Sequence, residues 1–221
     1  MESFDQLSKY INYSMCQNRY YKELHDKNRF KNYSFGNFYP VEKTRIYKNG
    51  NIYNFTIRSL DENFIDEMQK LLRENINHSH IQVLQTVKSK KKQFFVSELY
   101  TVTPAIVTTE NGRFWTMQSD GDIIKLQKQL QDNLEKKYQK FYGEKIEAAQ
   151  NFIQLLEIKN QKPQSIYFTK ESKSIRLFGN KCKIVPNDDE VSQKLAFVAL
   201  ACGVGEKSSY GAGFVLAKGM R

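Results

Sequence analysis

The chain has 221 residues, 34 Lys and Arg against 24 Asp and Glu for a net charge of +10, with 40% hydrophobic and 13% aromatic residues. That apolar content excludes a disordered chain, and no run approaches the ~18 consecutive apolar residues of a membrane-spanning helix. The length suits one large domain or two compact ones. A basic chain with no basic, apolar leader reads as cytoplasmic with an anionic partner, nucleic acid above all, and Cys16, Cys182 and Cys202 read as reduced thiols.

Phe4, Leu7, Ile11 and Met15 recur at helical spacing, so the chain opens with a helix reaching about Leu24. LHDKNRFKNYSFGNFYP then reads as a loop entering a strand, and TRIYKNGNIYNFTIRSL as a hairpin with Asn49-Gly50 at its tip. Asp61 starts an amphipathic helix with Phe64, Ile65, Met68, Leu71, Leu72 and Ile76 on one face. Two strand-like runs follow around a lysine cluster, Lys88, Lys90, Lys91 and Lys92.

A similar series recurs. LYTVTPAIVTT and NGRFWTM are strand-like, and Ile123, Leu126, Leu130, Leu134 and Tyr138 keep a helical period. QSIYFTKESKSIRLFGNKCKIVP gives strands broken at KESK and Gly179. A helix with a buried face, EVSQKLAFVALACG, leads through a glycine-rich loop to the strand GFVLA. The expected fold is α+β, two tandem ferredoxin-like (split βαβ) domains over 1–97 and 98–221.

The loop GVGEKSSYGAGFV is the most distinctive segment. Gly203, Gly205, Gly211 and Gly213 make two G-x-G pairs separated by EKSSY, which contains Lys207 and Ser208. Such a loop can cradle a phosphate on its amides with Lys207 adding charge, or it can be a tight turn that packs domains together. It is not a P-loop, because Glu206 separates Gly205 from Lys207, nor a dinucleotide fingerprint, because Ser208 stands where a third glycine is needed.

Of the three histidines, His25 lies in LHDKNRFK. Histidine suits general base catalysis near neutral pH, and Lys31 in the same loop can face the charge that accumulates when a phosphodiester is attacked. Tyr10 and Tyr13 on the preceding helix can aim hydroxyls toward the same place. The plain alternative makes His25 an exposed loop residue. His78 and His80 have no third ligand nearby, so no metal site is expected. The Lys88–Lys92 run beside Phe94 and Phe95 is a phosphate-binding element or a solvated turn. Trp115 and the tyrosines stack on bases or belong to the core.

Glycine pairs with a hydrophobic centre, Gly203-Val204-Gly205 and Gly211-Ala212-Gly213, separated by five residues with a basic one, resemble the signature loop of CRISPR repeat-processing endoribonucleases, the Cas-six family of the RAMP superfamily. Leu24-His25-Asp26, Lys31 and Tyr33-Ser34-Phe35 resemble its N-terminal arrangement, with Tyr10 matching the helix tyrosine. The resemblance implies metal-independent, cofactor-free cleavage of CRISPR repeat RNA into guide RNAs by 2′-hydroxyl attack. His25 would be the base, Lys31 the transition-state cation and Tyr10 the positioning group or acid. RNA would lie on Gly203, Gly205, Lys207, Ser208, Gly211, Gly213 and the Lys88–Lys92 cluster, with Lys170, Lys173, Arg176, Lys181 and Lys183 lining a second-half hairpin. Other subunits of an interference complex are implied partners, the chain itself being a monomer or homodimer. In this family a strand precedes the tyrosine-bearing helix, so either the first domain lacks its opening strand or the sequence is shortened relative to an ancestral form. A non-catalytic guide-RNA-binding subunit is the competing reading.

Overall fold

The computed structural model describes residues 2–26, 31–44, 46–75, 78–170 and 173–220. The first half contains α1 (Glu2–Cys16), α2 (Arg19–Asp26), β1 (Tyr33–Phe35), β2 (Ile57–Ser59) and α3 (Glu62–Glu74). The second contains β3 (Phe95–Thr101), α4 (Ile123–Tyr142), β4 (Ile153–Ile158), β5 (Gln164–Lys170), β6 (Lys173–Gly179), β7 (Cys182–Pro186), α5 (Glu190–Cys202) and β8 (Val215–Met220). Tandem ferredoxin-like halves account for this order.

The second half has the complete sheet, ordered β4-β7-β3-β8 and antiparallel throughout. Leu99 stands opposite both Ile184 and Ala217, so β3 is central. Asp122 and Asp189 cap α4 and α5, accepting from Lys125 N and Ser192 N at 2.9 Å. The predicted stripe Leu126, Leu130, Leu134 and Tyr138 is buried on α4, against a core with Leu99, Ile184, Leu195, Val198 and Val215. The β5–β6 hairpin is inserted between β4 and β7. Its inner residues Ile166, Phe168 and Leu177 form a separate cluster with Ile106 and Ala212.

The first half is reduced. Among the described residues no strand precedes α1, and β1 and β2 form a two-stranded ribbon, Tyr33 opposite Ser59 and Phe35 opposite Ile57. Residues 81–94 join no strand. They run along α3, where Thr86 Oγ1 donates to Gln69 O at 3.3 Å and Lys88 reaches Asp66 at 2.5 Å. In the second half, by contrast, the last strand, β8, pairs with the first, β3.

Three local expectations are corrected. The opening helix breaks at Gln17-Asn18 because the Asn18 side chain accepts from Tyr20 N at 3.0 Å and restarts the chain as α2. Asn49-Gly50 does form a turn, with Gly50 at φ 81°, but the flanking runs do not pair as strands. Phe38, Tyr47 and Tyr53 gather instead into an aromatic cluster, and the ribbon partner of β2 is β1. The strand β4, unforeseen, forms the sheet edge.

The halves are joined by specific bonds. Arg58 on β2 donates to Val215 O at 2.5 Å and lies 4.4 Å above the Phe214 ring, and burial pulls its guanidinium below its usual pKa. Ser34 Oγ donates to Ala201 O at 2.9 Å. Arg58→Ala should therefore lower unfolding free energy by about 2–4 kcal/mol, from one charged hydrogen bond and one cation–π contact. Urea denaturation checks this, and a drop below about 0.5 kcal/mol, the range of an ordinary surface substitution, would refute the pin.

Candidate active site

The segment that leads from α2 to β1 is anchored at both ends. Tyr21 near the start of α2 meets Phe64 edge-on at 5.5 Å, and Tyr33 at the start of β1 stacks on the same ring at 5.2 Å. Asn32 O accepts from Ser59 Oγ at 2.7 Å and Lys31 O from Tyr33 N at 2.7 Å. The backbone of His25 belongs to the last turn of α2, a helix rather than the expected loop, and Lys31 is half-buried just before β1. The His25 side chain and residues 27–30 lie outside the described residues, so the anchors define the site by its two ends.

Tyr10 has a different place from the one expected. It is 0% exposed, and its hydroxyl donates to Leu72 O at 2.5 Å with Asn75 O at 3.3 Å. Burial pushes its phenol above the usual pKa. Tyr10 therefore ties α1 to the C-terminal end of α3, its hydroxyl spent on backbone carbonyls. Tyr13, one turn on, is exposed. Tyr10→Phe should cost about 1 kcal/mol of stability, the net worth of one buried hydrogen bond, with the RNA-directed activity unchanged. Thermal unfolding beside an activity assay tests it, and abolished activity at unchanged stability would restore Tyr10 to the chemistry.

The glycine loop adjoins this region. Ser208 Oγ donates to Tyr33 O at 2.9 Å, and Ser8 Oγ on α1 donates to Ser209 O at 2.9 Å. Its glycines are not a surface cradle: Gly203, Gly205, Gly211 and Gly213 are all buried and all have positive φ. A Cβ would lie 2.5 Å from Ile106 O at Gly205 and 1.8 Å from Val204 O at Gly213. The amides are mostly used within the fold, Val204 N on Gly213 O, Glu206 N on Ile106 O and Gly213 N on Pro104 O, at 2.7–2.9 Å. The packing alternative thus describes these glycines, while Lys207 at φ 61° is the exposed residue of the loop.

The lysine run divides in two. Lys90 and Lys88 pair with Glu62 at 2.6 and 2.9 Å and pull its carboxyl down to about 2, and Lys88 also pairs with Asp66. Lys91 and Lys92 are exposed, with no ion pair among the described residues. On the second-half hairpin, Lys170 and Lys173 face each other at the end where the chain passes from β5 to β6, and Arg176 stands opposite Tyr167, while Lys183 on β7 pairs with Glu98 at 2.6 Å. Trp115 is core, 2% exposed, its indole donating to Asp122 O at 2.9 Å. Nδ1 of His78 accepts from the amides of His80 and Ile81 at 3.3 Å, and no group of three or more His, Cys, Asp or Glu among the described residues could hold a metal ion.

The family model described as "CRISPR associated protein Cas6, C-terminal" matches residues 87–216, more than half the chain. The chain belongs to the Cas6 family. A curated relative from Methanocaldococcus jannaschii (strain ATCC 43067 / DSM 2661 / JAL-1 / JCM 10045 / NBRC 100440), "CRISPR-associated endoribonuclease Cas6 2", is 24% identical over 96% of this chain and 93% of its own. Among solved structures, "An RAMP protein binding different RNA substrates" superposes with a TM-score of 0.64 at 16% identity, covering 98% of this chain and 92% of that one. A Cas6 product complex superposes at 0.60 and 13% identity, covering 99% and 94%. These similarities establish a Cas6 fold over the whole chain. The Cas6 match includes the glycine loop with β3, β4 and β7. One residue beside that loop escaped sequence reasoning: Lys137, hidden in the charged run EKKYQK of α4.

Proposed function

We propose that the chain is a metal-independent endoribonuclease that cuts CRISPR repeat RNA into guide RNAs. Membership of the Cas6 family carries this reading, and the endoribonuclease name of the archaeal relative supports it. The juxtaposition of the α2–β1 segment with the glycine loop through Ser208 and Tyr33 supports siting the chemistry there.

His25 removes the proton from a 2′-hydroxyl. The freed oxygen attacks the adjacent phosphorus in line, and the bond to the 5′-oxygen breaks, leaving a 2′,3′-cyclic phosphate and a 5′-hydroxyl. Lys31 faces the negative charge of the transition state. With Tyr10 in the core, the leaving oxygen takes its proton from solvent. Lys207 and the Lys91–Lys92 pair bind phosphates. The buried glycines contribute by shaping the seam that holds Lys207.

The phosphate assignment separates the two kinds of lysine. Lys91→Ala with Lys92→Ala should weaken RNA binding and lower the slope of log K against log salt by about 0.7–0.9 for each phosphate that is no longer neutralised. Lys88→Ala with Lys90→Ala should change the slope less, because Glu62 and Asp66 already neutralise them. Equal slope changes for the two pairs would refute the division.

The deciding experiment incubates the protein with a repeat transcript in EDTA. Cleavage with a 2′,3′-cyclic end is expected. Binding without cleavage would overturn the enzyme and leave a non-catalytic RNA-binding subunit, a reading that the two-stranded first-half ribbon favours.

A further inference from the structure

Lys137 occupies a core position. It follows Leu134 by three residues on the buried face of α4 and is 2% exposed. A lysine carries three N–H donors and no acceptor, and its charge is costly to bury unless every donor is used. Here Nζ lies 2.8 Å from Gly203 O, 2.8 Å from Gly205 O and 3.3 Å from Cys202 O. Burial pushes the ammonium down to about 8. The titratable groups facing it are the Cys202 thiol, raised by burial to about 11, and Glu206.

Those carbonyls lie where α5 ends and the glycine loop begins. The C-terminus of a helix presents unpaired carbonyls and the negative end of its dipole, and α5 has no basic residue in its last turn. Lys137 supplies that cation from another helix. Beyond it the chain is held by Glu206, whose carboxylate accepts from Thr108 N at 2.9 Å and Thr108 Oγ1 at 2.8 Å. Next comes Ser208 on Tyr33 O, so Lys207 projects from a backbone fixed on both sides.

We propose that Lys137 is the positioning residue of the glycine loop: by gathering the carbonyls of Cys202, Gly203 and Gly205 it sets the path of the loop and aims Lys207 at the RNA backbone. Its effect on RNA rests on the proposed RNA-binding function, whereas its effect on the loop does not.

The test uses Lys137→Met, which keeps the length of the side chain and removes the donors, Lys137→Gln, which keeps two of them, Lys207→Ala, and the double variant Lys137→Met with Lys207→Ala. Amide hydrogen exchange of residues 203–206 should be at least about tenfold faster in Lys137→Met and intermediate in Lys137→Gln, with the middle of α5 unchanged. Repeat-RNA affinity should fall by about tenfold in Lys137→Met, and in the Lys207→Ala background the same change should cost less than about twofold, as coupled residues behave. A purely structural lysine would instead give effects that multiply. Unchanged loop exchange, multiplying effects, or failure of both Lys137 variants to fold would each overturn the proposal. If the wild-type chain binds no repeat RNA, the RNA-binding reading fails and the exchange measurement alone decides whether Lys137 positions the loop.

Discussion

His25→Ala is expected to slow single-turnover cleavage of repeat RNA by about a hundred- to ten-thousand-fold, the range that a general base contributes. Binding should stay within about threefold, because phosphate contacts set affinity and the proposed ones, Lys91, Lys92 and Lys207, lie on other segments. The contrast between rate and affinity distinguishes a base from a binding residue, since a group that acts only in the transition state changes the chemical step and leaves complex formation alone. The assay is run in EDTA with protein in excess, scoring the 2′,3′-cyclic product. Cleavage at the wild-type rate would remove His25 from the reaction. A parallel fall in rate and affinity would assign it to binding instead.

Gly213→Ala is expected to be the most destabilising single-methyl change in the chain. The added carbon would sit 1.8 Å from Val204 O, inside the pairing in which Val204 N donates to Gly213 O at 2.9 Å, and the residue is at φ 64°. Neither partner is a side-chain tip able to swing aside, so the seam itself must open. Overpacking and left-handed strain together place the cost at about 3–5 kcal/mol. Gly112→Ala is the matched control, at φ 71° with nothing within 4 Å of its added carbon, and should cost about 1–2 kcal/mol from backbone strain alone. Urea unfolding of both variants measures the difference. If Gly213→Ala costs no more than Gly112→Ala, close packing is not why glycine stands there.

Residue patterns were informative where the signal was local. The apolar stripe of α4 and the cap at Asp61 depend on spacing and one side-chain acceptor, and both are present in the structure. The break at Asn18 is local too, yet continuous apolar spacing on either side of it masks the cap. The ribbon is a different matter. Whether residues 44–55 pair with themselves or leave β2 to β1 depends on partners distant in the chain. β4 is hard to see because an edge strand shows weak alternation, with Gln154, Leu155 and Glu157 not buried. At the candidate site, His25 and Lys31 are proposed from residue chemistry and family resemblance. The burial of Tyr10 is hidden in the sequence because a helix tyrosine at the right spacing looks the same whether it faces solvent or the end of α3. Lys137 stands at helical spacing from Leu130 and Leu134, inside the apolar stripe, but its charge and the lysines around it read as a solvated face.

The unequal sheets have a consequence for how the two halves respond to partners. A two-stranded ribbon is marginal in water by itself, whereas a four-stranded sheet covered by two helices is self-sufficient. The ribbon here is held from outside, by Arg58 on Val215, Ser34 on Ala201 and Ser208 on Tyr33. The proposed catalytic segment leads directly into that ribbon. Local opening is easiest where few bonds must break, so the first half is the less protected unit, and a polymer lying across the Ser208–Tyr33 seam would favour its closed form by mass action. Bound RNA is therefore expected to add to the rigidity of the proposed site.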